Sequence, residues 1–208
     1  MKRSPPIEAV VFDVGGVLLD WNPRYLYRKL FATEQQMERF LSEVCTREWH
    51  AQHDRGARVQ DACAELAAKH PDEADLIWAW AQRSEEMIGG AIDGSVEILK
   101  ELRGAGVSCY LLTNMESHTW PLRLVRYPFL GCTDGALVSA FEGVMKPDRE
   151  IFERLLRRFG LDAARTVLID DQPANLEAAR ACGLQTVLFR SPAQLRAWLT
   201  EAGLLSPR

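Results

Sequence analysis

No Cys-x-x-Cys pair occurs in this sequence, and the cysteines are odd in number: Cys45, Cys63, Cys109, Cys132 and Cys182 stand singly along the chain. That pattern argues against a disulfide framework or a thiolate zinc site, and it suits a reducing, cytoplasmic setting. Positive charge is not in surplus either, since 25 Lys and Arg stand against 29 Asp and Glu. Without a cationic field, neither nucleic acid nor an anionic membrane surface is an expected partner. Long apolar runs are missing, so no segment reads as a bilayer span. Basic Met1-Lys2-Arg3 precedes an apolar strand, but Asp13 cuts that run and no signal-cleavage pattern follows. Repeats and low-complexity tracts are absent. At 208 residues and 47% hydrophobic, the chain can build one sizeable core plus a smaller accessory unit.

Strand-like runs are lacking across residues 21–90, where the periodicity is helical throughout. Thr33 and Gln36 form a capping-box signature ahead of Met37, Phe40, Leu41 and Val44 on one helical face. A second helix carries Val59, Ala62, Cys63 and Leu66. A third opens at Pro71 and runs through Leu76, Ile77, Trp80 and Met87 to the Gly89-Gly90 stop. Four of the six tryptophans, Trp21, Trp49, Trp78 and Trp80, fall in or beside this unit and read mostly as packing between helices. After Gly90, apolar strands alternate with amphipathic helices in the manner of βα units. Asp148 reads as the cap of a helix whose apolar face holds Ile151, Phe152, Leu155 and Phe159, ended by Gly160. The predicted fold is α/β, a doubly wound and mainly parallel sheet over residues 1–20 and 91–208, interrupted by a small all-helical insert at 21–90.

The apolar strands end in polar residues: Ile7 to Phe12 in Asp13, Val107 to Leu112 in Thr113-Asn114, and Arg165 to Ile169 in Asp170-Asp171, while Lys146 begins a helix. In a parallel sheet these ends share the edge where ligands bind. Gly15 and Gly16 let the chain turn tightly and approach a ligand. Taken singly, Thr113-Asn114 reads equally as a turn and Asp170-Asp171 as a cap pair. Their joint occurrence favours phosphoryl transfer. Asp13 can act as a nucleophile, clustered carboxylates ask for a hard cation such as Mg²⁺, and Thr113, a backbone amide at Asn114 and the Lys146 ammonium can hold phosphate oxygens.

With these motifs in order, the chain resembles the haloacid dehalogenase superfamily of hydrolases, mostly Mg²⁺-dependent phosphatases. The resemblance rests on Val11-Phe12-Asp13-Val14-Gly15-Gly16-Val17, Leu111-Leu112-Thr113-Asn114, Gly143-Val144-Met145-Lys146-Pro147-Asp148 and Leu168-Ile169-Asp170-Asp171. It implies a Rossmann-like core with a C1-type helical cap. It further implies Asp13 as nucleophile, Thr113, Asn114 and Lys146 at the phosphate, and a Mg²⁺ site of Asp13, the Gly15 carbonyl, Asp170 and Asp171. One position departs: the family's phosphatases usually carry a second Asp, the general acid and base, where this chain has Gly15. A proton shuttle is worth about 10²–10⁴ in rate, so its loss favours good leaving groups such as sugar 1-phosphates and acyl phosphates.

In the helical insert, Glu48 to Gly56 is the candidate for substrate contact, through Trp49, His53 and Arg55. The expected activity is Mg²⁺-dependent hydrolysis of a small phosphorylated metabolite, a sugar phosphate foremost, through an aspartyl-phosphate on Asp13. Two alternatives stay open: carbon-halide hydrolysis, which needs no leaving-group acid, and a catalytically weak phosphoryl-binding module. The sequence does not choose between monomer and homodimer.

Overall fold

Strand β1 (Ala9–Phe12) is buried along its whole length, and its side chains alternate between two apolar layers. Val10 and Phe12 join the cluster of Ile98, Leu102 and Leu195, whereas Val11 joins that of Leu112, Ile151 and Leu155. A strand covered on both faces demands this period of two. The computed structural model describes residues 5–207. After β2 (Leu19–Trp21) come five helices, α1 (Arg24–Tyr27), α2 (Glu34–Glu43), α3 (Arg47–Asp54), α4 (Val59–Lys69) and α5 (Ala74–Gln82), before β3 (Ile88–Ala91). Then follow α6 (Asp93–Gly104), β4 (Ser108–Thr113), α7 (Thr119–Arg126), β5 (Gly135–Val138), α8 (Ser139–Glu142) and α9 (Arg149–Phe159). The chain finishes with β6 (Thr166–Asp170), α10 (Pro173–Ala181), β7 (Gln185–Leu188) and α11 (Pro192–Glu201).

Five strands form a parallel sheet in the order β5-β4-β1-β6-β7. The chain winds from β1 outward through β4 and β5, then places β6 and β7 on the other side. Strand order therefore reverses at β1, and the crevice beyond its C-terminal end is the place such sheets offer to ligands. The α/β architecture expected from the sequence is the one observed. Among the described residues, no helix is long and apolar enough to cross a membrane.

The five helices have an apolar cluster of their own, with Tyr27, Met37, Phe40, Cys63 and Ile77 at its centre. Thr33 caps α2 as expected, its hydroxyl accepting from the Gln36 N–H at 3.3 Å. The third expected helix is broken instead of continuous. Pro71–Glu73 is a 3-10 turn, α5 stops at Gln82, and a second 3-10 turn, Ser84–Met87, leads into β3. The cause is pairing: β3 runs antiparallel to β2 with Asp20 opposite Gly90, and the Asn22 N–H donates to the Met87 carbonyl at 2.7 Å. This ribbon straddles the positions at which the sequence pattern divides insert from core. Trp49 and Trp80 pack inside the helical cluster, but Trp21 is partly exposed at 37%.

Candidate active site

Register brings three strand ends together. Phe12 pairs with Leu111 of β4 and with Ile169 of β6, so the next residues, Asp13 and Asp170, lie side by side, and Thr113 ends β4 one residue further along. The Asp13 N–H donates to the Ile169 carbonyl at 2.9 Å. Its carboxylate accepts from the Val14 N–H at 2.6 Å, which fixes the side chain over the turn.

Lys146 reaches this point from the loop between α8 and α9, and it is only 1% exposed. A buried ammonium left alone would cost several kcal/mol, so it must be paired. Its Nζ lies 2.9 Å from Asp13 Oδ1 and donates to Asp170 Oδ2 at 2.7 Å. The Asn114 side chain clamps the same loop: Nδ2 donates to the Lys146 carbonyl and Oδ1 accepts from the Lys146 N–H, both at 2.9 Å. Asn114 thus positions the lysine, a part the strand-end pattern does not disclose. Thr113 is buried, and its hydroxyl makes only a long contact of 3.5 Å with the Asn114 carbonyl.

Asp170 is fully buried and saturated. It accepts from Asn175 Nδ2 at 2.9 and 3.1 Å and from the Gln172 N–H at 2.8 Å. Asp171 accepts from Gln172 Nε2 at 2.7 Å. Asp13, Asp170 and Asp171 each present an oxygen within 4.8 Å of the others. Such a hard, all-carboxylate set fits Mg²⁺ and does not suit a softer metal. The pressure for a cation is visible in the acids. Burial pushes Asp13 up to about 8 against the pull of Lys146, with Asp170 and Asp171 adding to the rise. Burial raises Asp171 as well, against the hydrogen bond from Gln172. Burial alone would lower Lys146, but Asp13 and Asp170 outweigh it and hold the ammonium protonated.

Two adjacent glycines differ in kind. At Gly16, φ is +77° and an added Cβ would stand 2.7 Å from Asp171 Oδ2, so only glycine fits. At Gly15 an added Cβ would meet nothing closer than Trp21 Cβ at 3.8 Å. The acid missing from this position is therefore not excluded by space.

The insert residues singled out from the sequence are placed unequally. Trp49 lies in the helical core, its indole N–H directed to the Ala62 carbonyl at 3.4 Å. His53 is completely buried, 3.5 Å from Glu116 Oε1. Arg55 is half-exposed and pairs with Asp148 at 3.2 Å, joining insert to core. Asp148 stands at the N-cap position of α9 as the sequence suggests, but its side chain makes no capping hydrogen bond. The pattern also missed Asn175, Gln172 and Glu116. Asn175 had a signal: it sits in the first turn of a helix opened by Pro173, directly after the Asp170 strand end. Glu116 had none, because its partners come from three separate helices or loops.

Comparison with known proteins identifies the family. The family model for haloacid dehalogenase-like hydrolases matches residues 7–183. The sesquiterpene phosphatase astK of Aspergillus oryzae is 30% identical over 190 residues, covering 85% of this chain and 87% of that protein. A HAD family hydrolase from Deinococcus radiodurans, solved with bound phosphate and sodium, superposes with a TM-score of 0.67 at 25% identity, covering 98% of this chain and 99% of the other. A HAD family enzyme from Bacteroides thetaiotaomicron, solved with magnesium and inorganic phosphate, shares the fold with a TM-score of 0.67 at 19% identity, over 89% and 95% of the two chains.

Proposed function

Because the chain belongs to the haloacid dehalogenase-like hydrolases, we propose that it is a Mg²⁺-dependent phosphomonoesterase acting through an aspartyl-phosphate on Asp13. The observation that carries the reading is the grouping of Asp13, Lys146, Asp170 and Asp171 at the strand-order reversal. Asp13, Asp170 and Asp171, with the Gly15 carbonyl, would hold the ion. When bound, Mg²⁺ neutralises the carboxylates and the phosphate charge. One Asp13 oxygen forms the bond to phosphorus as the ester P–O bond breaks, and the alcohol departs as an alkoxide that takes its proton from water. Water then attacks the acyl phosphate, releasing inorganic phosphate and restoring the carboxylate. Lys146 holds Asp13 in line and steadies the equatorial oxygens, together with the Thr113 hydroxyl and backbone amides at Asn114.

Gly15 gives the leaving group no acid. Substrates whose leaving oxyanion departs easily, an anomeric alkoxide from a sugar 1-phosphate or a carboxylate from an acyl phosphate, are favoured over simple alkyl phosphates. Carbon-halide hydrolysis also needs no acid, but it requires no metal, and the Asp13, Asp170 and Asp171 oxygens form a set that suits one. Phosphate release from a panel of sugar and acyl phosphates, with Mg²⁺ or EDTA, tests the assignment on the wild type and Asp13→Asn. Release that needs Mg²⁺ and vanishes in the variant is expected. Equal release by Asp13→Asn would sink the assignment, and no release by either protein would turn the assay to halide release from 2-haloacids.

A further inference from the structure

Beside the phosphate site lies a second polar cluster that the proposed chemistry does not use. Glu116 is two residues beyond Asn114 and only 6% exposed. Three histidines converge on it: His53 Nδ1 at 3.5 Å, His50 Nε2 at 3.9 Å and His118 Nδ1 at 3.4 Å. Asp54, also buried, stands 3.8 Å from His50 Nε2. The Trp80 indole N–H donates to Glu116 Oε1 at 3.1 Å. The inventory is otherwise unfilled: both His53 nitrogens, Asp54 Oδ1, Glu116 Oε2 and His118 Nε2 are buried without a hydrogen-bond partner among the described residues. A native interior satisfies almost all such atoms, so this many in one place point to a ligand that supplies the partners.

Three ties fix the cluster to the reaction centre. Asn114, which clamps Lys146, is separated from Glu116 by one residue. The Trp21 ring stacks on His50, with centroids 5.3 Å apart, while its Cβ is the nearest atom to the open side of Gly15. The Lys146 charge also acts on Asp54. These ties set the cluster beside the loop that holds Lys146 and the turn that carries Gly15.

We propose that Glu116, Asp54, His50, His53 and His118 form the subsite for the leaving group, and that it takes a neutral polyhydroxylated group, a sugar, instead of an isoprenoid. This rests on the phosphatase reading given above. Hydroxyls both donate and accept, which matches a set of imidazoles and carboxylates. The two acids are shifted in opposite directions. Burial raises Asp54 against the pull of His50, with Glu116 adding to the rise. Burial would also raise Glu116, but the nearby His53 and His50 and the Trp80 N–H prevail and hold it below the ordinary range, as an acceptor. The indoles of Trp21 and Trp80 both pack against His50 and fix its ring. An isoprenoid chain would strand all five residues, each unmet group costing about 1–3 kcal/mol. At 3.4–3.9 Å the contacts leave no room for an intervening atom, so α3, which carries His50, His53 and Asp54, must move away from the loop after β4 before hydroxyls can enter.

The test compares kcat/KM on glucose 1-phosphate, farnesyl phosphate and p-nitrophenyl phosphate for wild type, Glu116→Gln and Asp54→Asn. The wild type should prefer glucose 1-phosphate to farnesyl phosphate by at least about tenfold. In each variant the ratio of glucose 1-phosphate to p-nitrophenyl phosphate activity should fall by about tenfold or more, the loss of one well-made hydrogen bond to a charged group. A merely structural role lowers both activities together and leaves the ratio unmoved, which overturns the proposal. So does a wild type that favours farnesyl phosphate. Should one variant not fold, as read by circular dichroism, the other carries the comparison. Release from p-nitrophenyl phosphate without release from the sugar phosphate refutes the subsite alone; no release from any of the three refutes the phosphatase reading and this proposal with it.

Discussion

Gly15 and Gly16 are neighbours with opposite constraints, and the difference can be put to use. A side chain at 16 would collide with Asp171, whereas one at 15 finds room beneath Trp21. Gly15→Asp should therefore be accepted by the fold and should restore an acid to the leaving group. We expect it to raise kcat on a poor leaving group such as glucose 6-phosphate by about 10²-fold, the low end of positioned acid-base catalysis, and to help glucose 1-phosphate much less. An unchanged ratio between the two esters would mean that a carboxyl at 15 does not reach the leaving oxygen. At this scale Asp13, Lys146, Asp170 and Asp171 were legible because strand ends announce themselves as polar breaks in apolar runs. Asn114's clamp on Lys146 and Asn175's double bond to Asp170 were not, since each depends on where a distant loop or the next helical turn folds back.

Between elements, the seam of insert against core is narrow at Gly56. This residue follows α3, has φ of +98°, and its missing Cβ would lie 2.7 Å from the Ala140 carbonyl in α8. Arg55 and Asp148 bridge the same seam. Gly56→Ala should push α3 away from α8 and add about 1–2 kcal/mol of backbone strain. Sugar-phosphate kcat/KM should drop about tenfold, chiefly through KM, and steady-state kinetics indistinguishable from wild type would show that the contact does not matter to closure. Elements of good length and period, such as α2, α9 and α11, were readable from caps and apolar spacing. The ribbon of β2 and β3 was not. Three or four residues are too few to show alternation, and Ile88-Gly89-Gly90-Ala91 reads as a helix stop until it is seen to pair with Leu19–Trp21.

For the molecule as a whole, the active-site carboxylates set a stability that depends on pH and on metal. In metal-free protein Asp13 titrates near 8 and not near its ordinary 3.8. Folded chains then hold a proton that unfolded chains release. The stabilisation is full below about pH 4 and is lost as pH rises towards 8, at no more than about 1.4 kcal/mol per pH unit for one proton. In EDTA, the melting temperature of the wild type should fall relative to that of Asp13→Asn between pH 5 and 8. Saturating Mg²⁺ should remove that slope and raise the wild-type midpoint, since about 100-fold excess over Kd contributes about 2.7 kcal/mol. Parallel melting curves in EDTA would show that Asp13 is ionised in the metal-free fold.

The β2–β3 ribbon sets Asp20 opposite Gly90, so the chain leaves the core and re-enters it on facing residues. Seen from the sheet, the whole helical excursion has the span of a single hairpin bend. Closure entropy grows only logarithmically with loop length, and here the ends are already tied. Helices can thus be lengthened, shortened or replaced between those two residues without altering the pairing of β1 with β4 and β6. In the proposed function, the part that meets the leaving group is in this sense interchangeable, carried on a fixed pair of chain crossings, while the part that would break the phosphate ester is untouched by the exchange.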